Sequence, residues 1–240
     1  MDTRALGEHI LHRYDEELEQ LRAKVLRIGG LVETMLSDAL EAVAKGDSEL
    51  AATVVLADRE VNALEIEIDE QCAMILARRA PVAGDLRLVI GIIKVVTDLE
   101  RMGDESVRIA RMAIRMAEHA TTARRTENLR NLGPRVQTML RHALDAFART
   151  DPQSAAVVIA EDRVIDREYE SLSREMITFM MEDARSIPLG LDVLFAARAL
   201  ERIGDRACNL CEYVIYIVRA ADVRHTSIEN LRTTAFTEPE

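Results

Sequence analysis

The sequence predicts an all-α fold, made of two tandem three-helix bundles that are related by internal duplication. The composition favours helices, because the 240-residue chain holds 10 Gly and 5 Pro, and 3% of its residues are aromatic. Apolar residues recur every three or four positions through several long segments, which is the spacing of one helix face. A six-residue phrase, Leu-Glu-Arg-x-Gly-Asp, occurs at 99–104 and again at 200–205. We therefore expect six long antiparallel helices, three in each half.

The first half contains signals for three helices. An apolar stripe predicts the first helix, and Gly46 ends it in the manner of a glycine just beyond a helix C-terminus. Asp47 or Ser48 caps the second helix, which ends before Pro81. The turn at 81–85 starts the third helix, with the proline near its first position. The predicted ranges are about 8–45, 48–79 and 83–118.

The second half repeats this plan after a polar connector at 119–126. Asp151 and Pro152 mark the boundary between the fourth and fifth helices, as N-cap and first helical residue. The fifth helix stops before Pro188. The segment 221–240 shows no periodicity, and we expect a mobile C-terminal tail. The predicted ranges of the helices are about 127–149, 152–184 and 188–219.

Shifting the chain along itself supports the duplication. With an offset of 104 residues, Asp47 aligns with Asp151, Gly29-Gly30 aligns with Gly133-Pro134, and Asp58-Arg59 aligns with Asp162-Arg163. The offset becomes 101 for the repeated phrase. A repeated unit of this length can bury its own core, so we expect the two bundles to lie end to end. The predicted domains are 1–120, 121–220 and the tail 221–240.

Charge and hydropathy exclude several classes of function. The formal net charge of −11 argues against binding to nucleic acid and against docking on anionic lipid through charge alone. We find no signal peptide, and no apolar run approaches the ~18 residues of a membrane span. Three cysteines, an odd number, fit a reducing compartment. We therefore expect a cytoplasmic protein without direct membrane insertion.

The repeated phrase places two acids on one helix face in each half. Glu100 and Asp104 are four residues apart, and Glu201 and Asp205 repeat this spacing. Like charges at this spacing oppose the helix by roughly 0.2–0.5 kcal/mol. Counted at 100° per residue, the acids lie roughly 100–180° from the apolar stripes of their helices. We therefore expect them on a flank or an outer face rather than in the core.

Acids of the preceding helices face this phrase. Counting back from each turn between the helices brings Asp58 level with Asp104, and Asp166 level with Asp205. Asp162 lies one helical turn before Asp166. Two interpretations stay open on these residues alone. Several carboxylates on two rigid helices suit a hard cation, iron or manganese. Solvated helix faces, compensated by the arginine of each phrase, explain them equally well.

Four stretches carry a resemblance to a known family. They are Asp-Arg-Glu-Val-Asn at 58–62, Pro-Val-Ala-Gly-Asp-Leu-Arg at 81–87, Asp-Leu-Glu-Arg-Met-Gly-Asp at 98–104, and Leu-Glu-Arg-Ile-Gly-Asp at 200–205 with Ala207 and Asn209. With them the chain is similar to the PhoU family of bacterial phosphate-signalling regulators, associated with phosphate-specific ABC transport, over nearly its whole length up to about residue 225. The resemblance implies two three-helix bundles, and metal sites at Glu100, Asp104, Glu201 and Asp205, completed by Asp58, Asp162 and Asp166.

The resemblance also implies a function. It implies a non-enzymatic negative regulator of the phosphate-starvation (Pho) response, which couples the ATPase subunit of a phosphate ABC transporter to a sensor histidine kinase and modulates phosphate uptake. It implies divalent or iron-type metal ions as cofactors. We also expect a homodimer, which suits an acidic helical regulator. Two positions depart between the repeats, since Asn62 stands in place of Asp166 and Arg108 in place of Asn209. Fewer anionic ligands predict weaker metal binding in the first repeat.

Two alternatives to a regulator follow from the carboxylates. A carboxylate-bridged metalloenzyme on a helical bundle needs Glu-x-x-His pairs, and Gly103 and Gly204 stand where the histidines would be. This argues strongly against such an enzyme. A purely structural bundle without metal is the other alternative.

Overall fold

The computed structural model describes residues 3–119 and 126–237, with side chains described from residue 14 onward. These residues form seven α-helices and contain no strand, which confirms the all-α prediction. A single 3-10 turn, Ala184–Ser186, joins the fifth and sixth helices. The helices are α1 (Thr3–Lys45), α2 (Ser48–Arg79), α3 (Ala83–Ala117), α4 (Glu127–Arg149), α5 (Pro152–Glu182), α6 (Ile187–Arg219) and α7 (Ile228–Phe236).

The second helix of each repeat starts with the same cap. The Asp47 carboxylate accepts hydrogen bonds from the backbone N–H groups of Glu49 and Leu50 at 3.0 and 2.9 Å. The Asp151 carboxylate does the same for Gln153 and Ser154, at 3.0 and 3.1 Å. Such side-chain caps satisfy donors that the first helical turn leaves free, and each stabilises a helix by about 1 kcal/mol. The starts predicted for α2 and α5 are therefore confirmed.

The two repeats lie side by side. The longest helix–helix contact runs between α3 and α6, one helix from each repeat, and α1 also packs against α4. α2 contacts α1 and α3, while α5 contacts α4 and α6, so these two helices flank the central four. One hydrophobic core contains buried residues of both repeats. The prediction of bundles placed end to end is therefore wrong, whereas the six long helices of the prediction are present.

The contact between α1 and α4 is the same glycine–leucine contact made twice. A Cβ atom on Gly29 would lie 2.5 Å from Leu144 Cδ2, and one on Gly133 would lie still closer to Leu40 Cδ2. Both glycines and both leucines are related by the offset of 104 residues. The glycines therefore let the two helices approach closely, and the two repeats are related here by an approximate twofold axis.

The contact between α3 and α6 carries buried charges. Asp98, Glu105 and Asp192 are 4%, 5% and 7% exposed, and each forms an ion pair with an arginine of the opposite helix. Residue numbers rise along α3 as those of the partners fall along α6, so the helices are antiparallel. The pairs are Asp98–Arg206 at 3.1 Å, Glu105–Arg202 at 3.1 Å and Asp192–Arg115 at 2.6 Å.

The C-terminal segment contains a helix that the sequence prediction missed. α7 starts at Ile228 and is capped by Ser227, whose hydroxyl accepts a hydrogen bond from the backbone N–H of Asn230 at 3.3 Å. Leu231 and Ala235 are buried, and α7 packs mainly on α5. The sequence analysis missed this helix because its nine residues are too few for an apolar period to be recognised, whereas the mobility of the segment stays a prediction.

Two further predictions concern the boundary between the domains and the absence of membrane-spanning helices. The boundary predicted between the domains falls on residues 120–125, which lie outside the described residues, so the division into domains stays a prediction. Within 3–119 and 126–237, none of the helices combines the length and hydropathy that a bilayer-spanning segment needs.

Adjacent glycines of α1 offer a matched test of the α1–α4 contact. Gly29 is buried against Leu144, whereas no described atom lies within 4 Å of a Cβ placed on Gly30. Both Gly→Ala changes gain about 1 kcal/mol of helix propensity. Overpacking by Gly29→Ala opposes that gain by about 1–3 kcal/mol. We therefore expect Gly30→Ala to raise the free energy of unfolding, as measured by urea titration. The free energy of unfolding of Gly29→Ala should be lower than that of Gly30→Ala by about 1–3 kcal/mol. Equal free energies of unfolding for the two variants would contradict the contact.

Candidate metal centre

Three predicted ligands of the second repeat come together. Asp162 and Asp166 lie one turn apart on α5, and Asp205 faces them from α6. One carboxylate oxygen from each lies within 4.8 Å of the other two. Metal–oxygen bonds are about 2.0–2.6 Å long, so oxygens at this separation can share one cation. The prediction that the acids of α5 and α6 are neighbours is therefore correct in this repeat.

The negative charges of this cluster are only partly compensated. Arg198, Arg206 and Arg202 lower the pKa of Asp205, and a hydrogen bond from Cys208 lowers that of Asp162, but larger effects oppose them. Burial, and then the charges of Asp166 and Asp205, raise the pKa of Asp162 to about 6. Burial and then the charge of Asp166 raise the pKa of Asp205. Asp162 Oδ1 is buried and accepts no hydrogen bond from the described residues. Buried polar atoms usually have a partner, and a cation would supply one here while it relieved the repulsion.

Glu201 was expected on an outer face, but it is 9% exposed. Its carboxylate pairs with Arg198, and burial followed by the charge of Asp205 raises its pKa. The wheel prediction fails because α6 contacts α3, α4 and α5, and the consecutive residues 199–201 are all buried. A helix that is packed on three sides has no single apolar stripe. Glu201 thus lies beside the three aspartates but is not a member of the compact group.

The glycine of the repeated phrase leaves the facing carboxylate open. A Cβ on Gly204 would lie 3.4 Å from Asp162 Oδ1, and one on Gly103 would lie 3.7 Å from Asp58 Oδ1. An alanine would meet this oxygen at ordinary van der Waals distance, whereas a longer side chain would crowd it. The glycine inside each helix costs about 1 kcal/mol relative to alanine.

The predicted ligands of the first repeat are neighbours but form a looser group. Burial, and then the charge of Asp104, raise the pKa of both Asp58 and Glu100. Asn62 donates a hydrogen bond to Asp58 Oδ2 at 3.1 Å. Glu65 also acts on Glu100, although the predicted ligand set omitted it. Among the described residues, no second group of three acids meets the 4.8 Å limit.

Oxygen ligands determine what the second cluster can bind. Three carboxylates suit hard divalent cations and iron or manganese, rather than the soft metals that thiolates select. The same three side chains repel one another when they are ionised, because their oxygens lie so close together. The geometry therefore fits the implied metal ion in the second repeat.

The raised pKa of Asp162 predicts a pH dependence of the metal-free protein. Between pH 3.8 and about 6 the native state binds more protons at this group than the unfolded state does. Its contribution to stability therefore falls as the pH rises through that window. We expect Asp162→Asn to remove this slope and to raise the free energy of unfolding at pH 7 by about 1–2 kcal/mol, allowing for partial exposure.

The measurement is urea unfolding from pH 4 to 7 in the presence of a chelator. Asp145→Asn, which changes an exposed aspartate of α4, controls for the loss of one negative charge. Parallel pH profiles for the wild-type protein and Asp162→Asn would contradict the electrostatic account of the cluster.

Comparisons with known proteins agree with this architecture. The family model described as "PhoU domain" matches residues 25–113 and 129–214, one match in each repeat. The phosphate-specific transport system accessory protein PhoU homolog of Pseudomonas putida is 48% identical over 231 residues, covering 96% of this chain and 90% of that protein. The phosphate-specific transport system accessory protein PhoU of Escherichia coli (strain K12) is 43% identical over 233 residues, covering 96% and 95%.

Solved structures show the same fold. The crystal structure of PhoU from Pseudomonas aeruginosa superposes with a TM-score of 0.84 at 48% identity, covering 87% of this chain and 100% of that one. The phosphate transport system regulatory protein PhoU from Streptococcus pneumoniae gives a TM-score of 0.80 at 34% identity, covering 88% and 99%. With its two matched repeats, this chain belongs to the PhoU family.

Proposed function

We propose that this protein is a non-catalytic negative regulator of the phosphate-starvation response. It couples the ATPase subunit of a phosphate ABC transporter to a sensor histidine kinase, and it restrains phosphate uptake when phosphate is plentiful. The observation that carries the proposal is the match to accessory proteins of phosphate-specific transport over 96% of the chain. The cytoplasmic location and the homodimer that we expect from the sequence belong to the same proposal.

The fold supports a role in linking two partners. α2 and α5 each flank the central helices on the side of their own repeat, and among the described residues they share no extensive contact. Each repeat therefore offers a separate outer helix to another protein. Two separate outer helices suit a protein that connects a transporter subunit to a kinase.

We also propose that Asp162, Asp166 and Asp205 bind one divalent or iron-type metal ion. Two observations support this site: the oxygens of the three carboxylates lie within 4.8 Å of one another, and Asp162 Oδ1 is buried without a hydrogen-bond partner among the described residues. Bound metal would neutralise the repulsion between α5 and α6. The site then has a structural or signalling role in the regulator, rather than a catalytic one.

Deletion of the gene tests the regulatory function. We expect alkaline phosphatase activity to rise in cells grown with abundant phosphate, because the starvation response is no longer held off. A plasmid copy of the wild-type gene should restore the low activity, and the exposed-site variant Asp145→Asn should restore it equally. Unchanged alkaline phosphatase after deletion would refute the proposal.

The metal content of the purified protein tests the proposed site. We expect Asp166→Asn/Asp205→Asn to weaken metal binding by at least about 10–100-fold, because two anionic ligands become neutral while the side-chain shape is kept. Elemental analysis of protein purified without chelators, followed by dialysis against a defined metal, measures the change. Asp145→Asn is again the matched control. Equal metal in wild type and the double variant would remove the assignment.

A further inference from the structure

We infer that the two repeats of this chain neutralise the same carboxylate phrase in different ways. The second repeat binds a metal ion, whereas arginine side chains take the place of the metal in the first repeat. The inference rests on the metal centre proposed above, and it assigns a stoichiometry of one metal ion per chain.

Alignment of the repeats shows where the charges diverge. With an offset of 101 residues, Arg111 of α3 aligns with Glu212 of α6, and Arg108 aligns with Asn209. On the preceding helices, Asn62 occupies the position of Asp166, a proposed ligand. Each of these three differences makes the first repeat less negative than the second at a matched position. The repeats thus keep the Glu-Arg-x-Gly-Asp phrase but not its surroundings.

The structure places these arginines against the acids. A cavity of about 300 Å³ opens beside Asp58 and Asp104, and four arginines of both repeats line it. Arg111 acts on Asp58 closely enough to lower its pKa, against the larger effects of burial and Asp104 that raise it. Arg101 likewise lowers the pKa of Glu100. The four arginines are Arg101, Arg108, Arg111 and Arg206.

Two of the lining arginines are fixed in place. Arg108 Nη1 lies 3.2 Å from Glu105 Oε2, and Glu105 is buried in the contact between α3 and α6. Arg206 pairs with the buried Asp98. A guanidinium is charged at every pH at which the protein is folded, so these positive charges cannot be titrated away to admit a metal.

A divalent cation in the first cluster would therefore meet fixed positive charge. It would also meet fewer anionic oxygens, because the amide of Asn62 already donates to Asp58 Oδ2. Asp58 Oδ1 has no hydrogen-bond partner among the described residues, and Asp58 lines the same cavity as Arg111. In the second cluster the corresponding residue, Asp162, places a carboxylate oxygen within 4.8 Å of oxygens of two further aspartates. Arginines act on Asp205 of the second cluster as well, but Arg108 and Arg111 of the first cavity have Asn209 and Glu212 as their counterparts. The first repeat thus offers a cation fewer anionic oxygens and two more arginines than the second.

Exchange of the diverged residues tests this inference. The variant Asn62→Asp/Arg108→Asn/Arg111→Glu gives the first repeat the side chains of the second. The number of bound Mn²⁺ ions per chain is obtained by difference from the electron paramagnetic resonance signal of the free ion. We expect one tight Mn²⁺ per chain in the wild-type protein and two in the exchange variant. When Asp166→Asn/Asp205→Asn is added, we expect no tight Mn²⁺ in the otherwise wild-type protein and one tight Mn²⁺ in the exchange variant.

Three outcomes separate this inference from the metal centre on which it rests. Two Mn²⁺ per wild-type chain, one of them lost in Asp58→Asn/Asp104→Asn, would overturn the inference and leave the second site intact. No Mn²⁺ in the wild-type protein, or binding unchanged by Asp166→Asn/Asp205→Asn, would instead overturn the metal centre. One Mn²⁺ in the exchange variant, with native circular dichroism, would show that the arginines do not decide occupancy and would overturn the inference.

Matched variants keep the result interpretable if the exchange variant does not fold. Arg130→Asn/Arg232→Asn removes two exposed arginines on α4 and α7, and it should leave one Mn²⁺ per chain. Arg111→Gln alone is the milder probe of the same cavity, and we expect at least about a tenfold gain in Mn²⁺ affinity at the first cluster, because one fixed positive charge is lost. An equal gain in the control variant would mean that net charge alone is responsible.

Discussion

Charges buried between α3 and α6 determine how the two repeats fit together. Three carboxylates there are less than a tenth exposed, and each is paired with an arginine of the other repeat. The arginine partners are 21% to 51% exposed, so breaking one pair costs less than the about 3–5 kcal/mol of a fully buried pair. A shift of one helix along the other is still disfavoured, because it would leave three buried carboxylates unpaired. The same two helices carry the repeated phrase. The contact therefore also determines which side of each helix remains free to face the acids of α2 and α5.

Local sequence signals predicted the helices well, but they could not predict ion pairs between residues that are distant in the sequence. Caps at Asp47 and Asp151, prolines and apolar spacing located the long helices to within a few residues. The side-by-side arrangement was missed because Glu105 appears in the sequence as one more surface acid. Its partner Arg202 lies 97 residues away. A helix wheel also assumes one apolar face, and residues 105–107 of α3 are buried on consecutive positions.

The part of the candidate site that follows from helix geometry alone was predicted from the sequence. Counting along antiparallel helices brought Asp166 level with Asp205, and the structure agrees. The count could not predict that Glu201 would be covered, because that depends on how α3, α4 and α5 pack around α6. Arg111 carried a signal that was available in the alignment of the repeats, as the counterpart of Glu212, but its meaning needs the cavity beside Asp58.

The doubled glycine–leucine contact between α1 and α4 has a consequence for how the two halves can diverge. In a symmetric homodimer, residue i of one subunit meets residue j of the other, and j meets i. Gly29–Leu144 and Gly133–Leu40 follow this rule within a single polypeptide. A homodimer encoded by one gene changes both sides of its axis with every substitution. Covalent fusion removes that coupling, so one half can specialise its charged cluster while the glycine–leucine contacts keep the two halves joined.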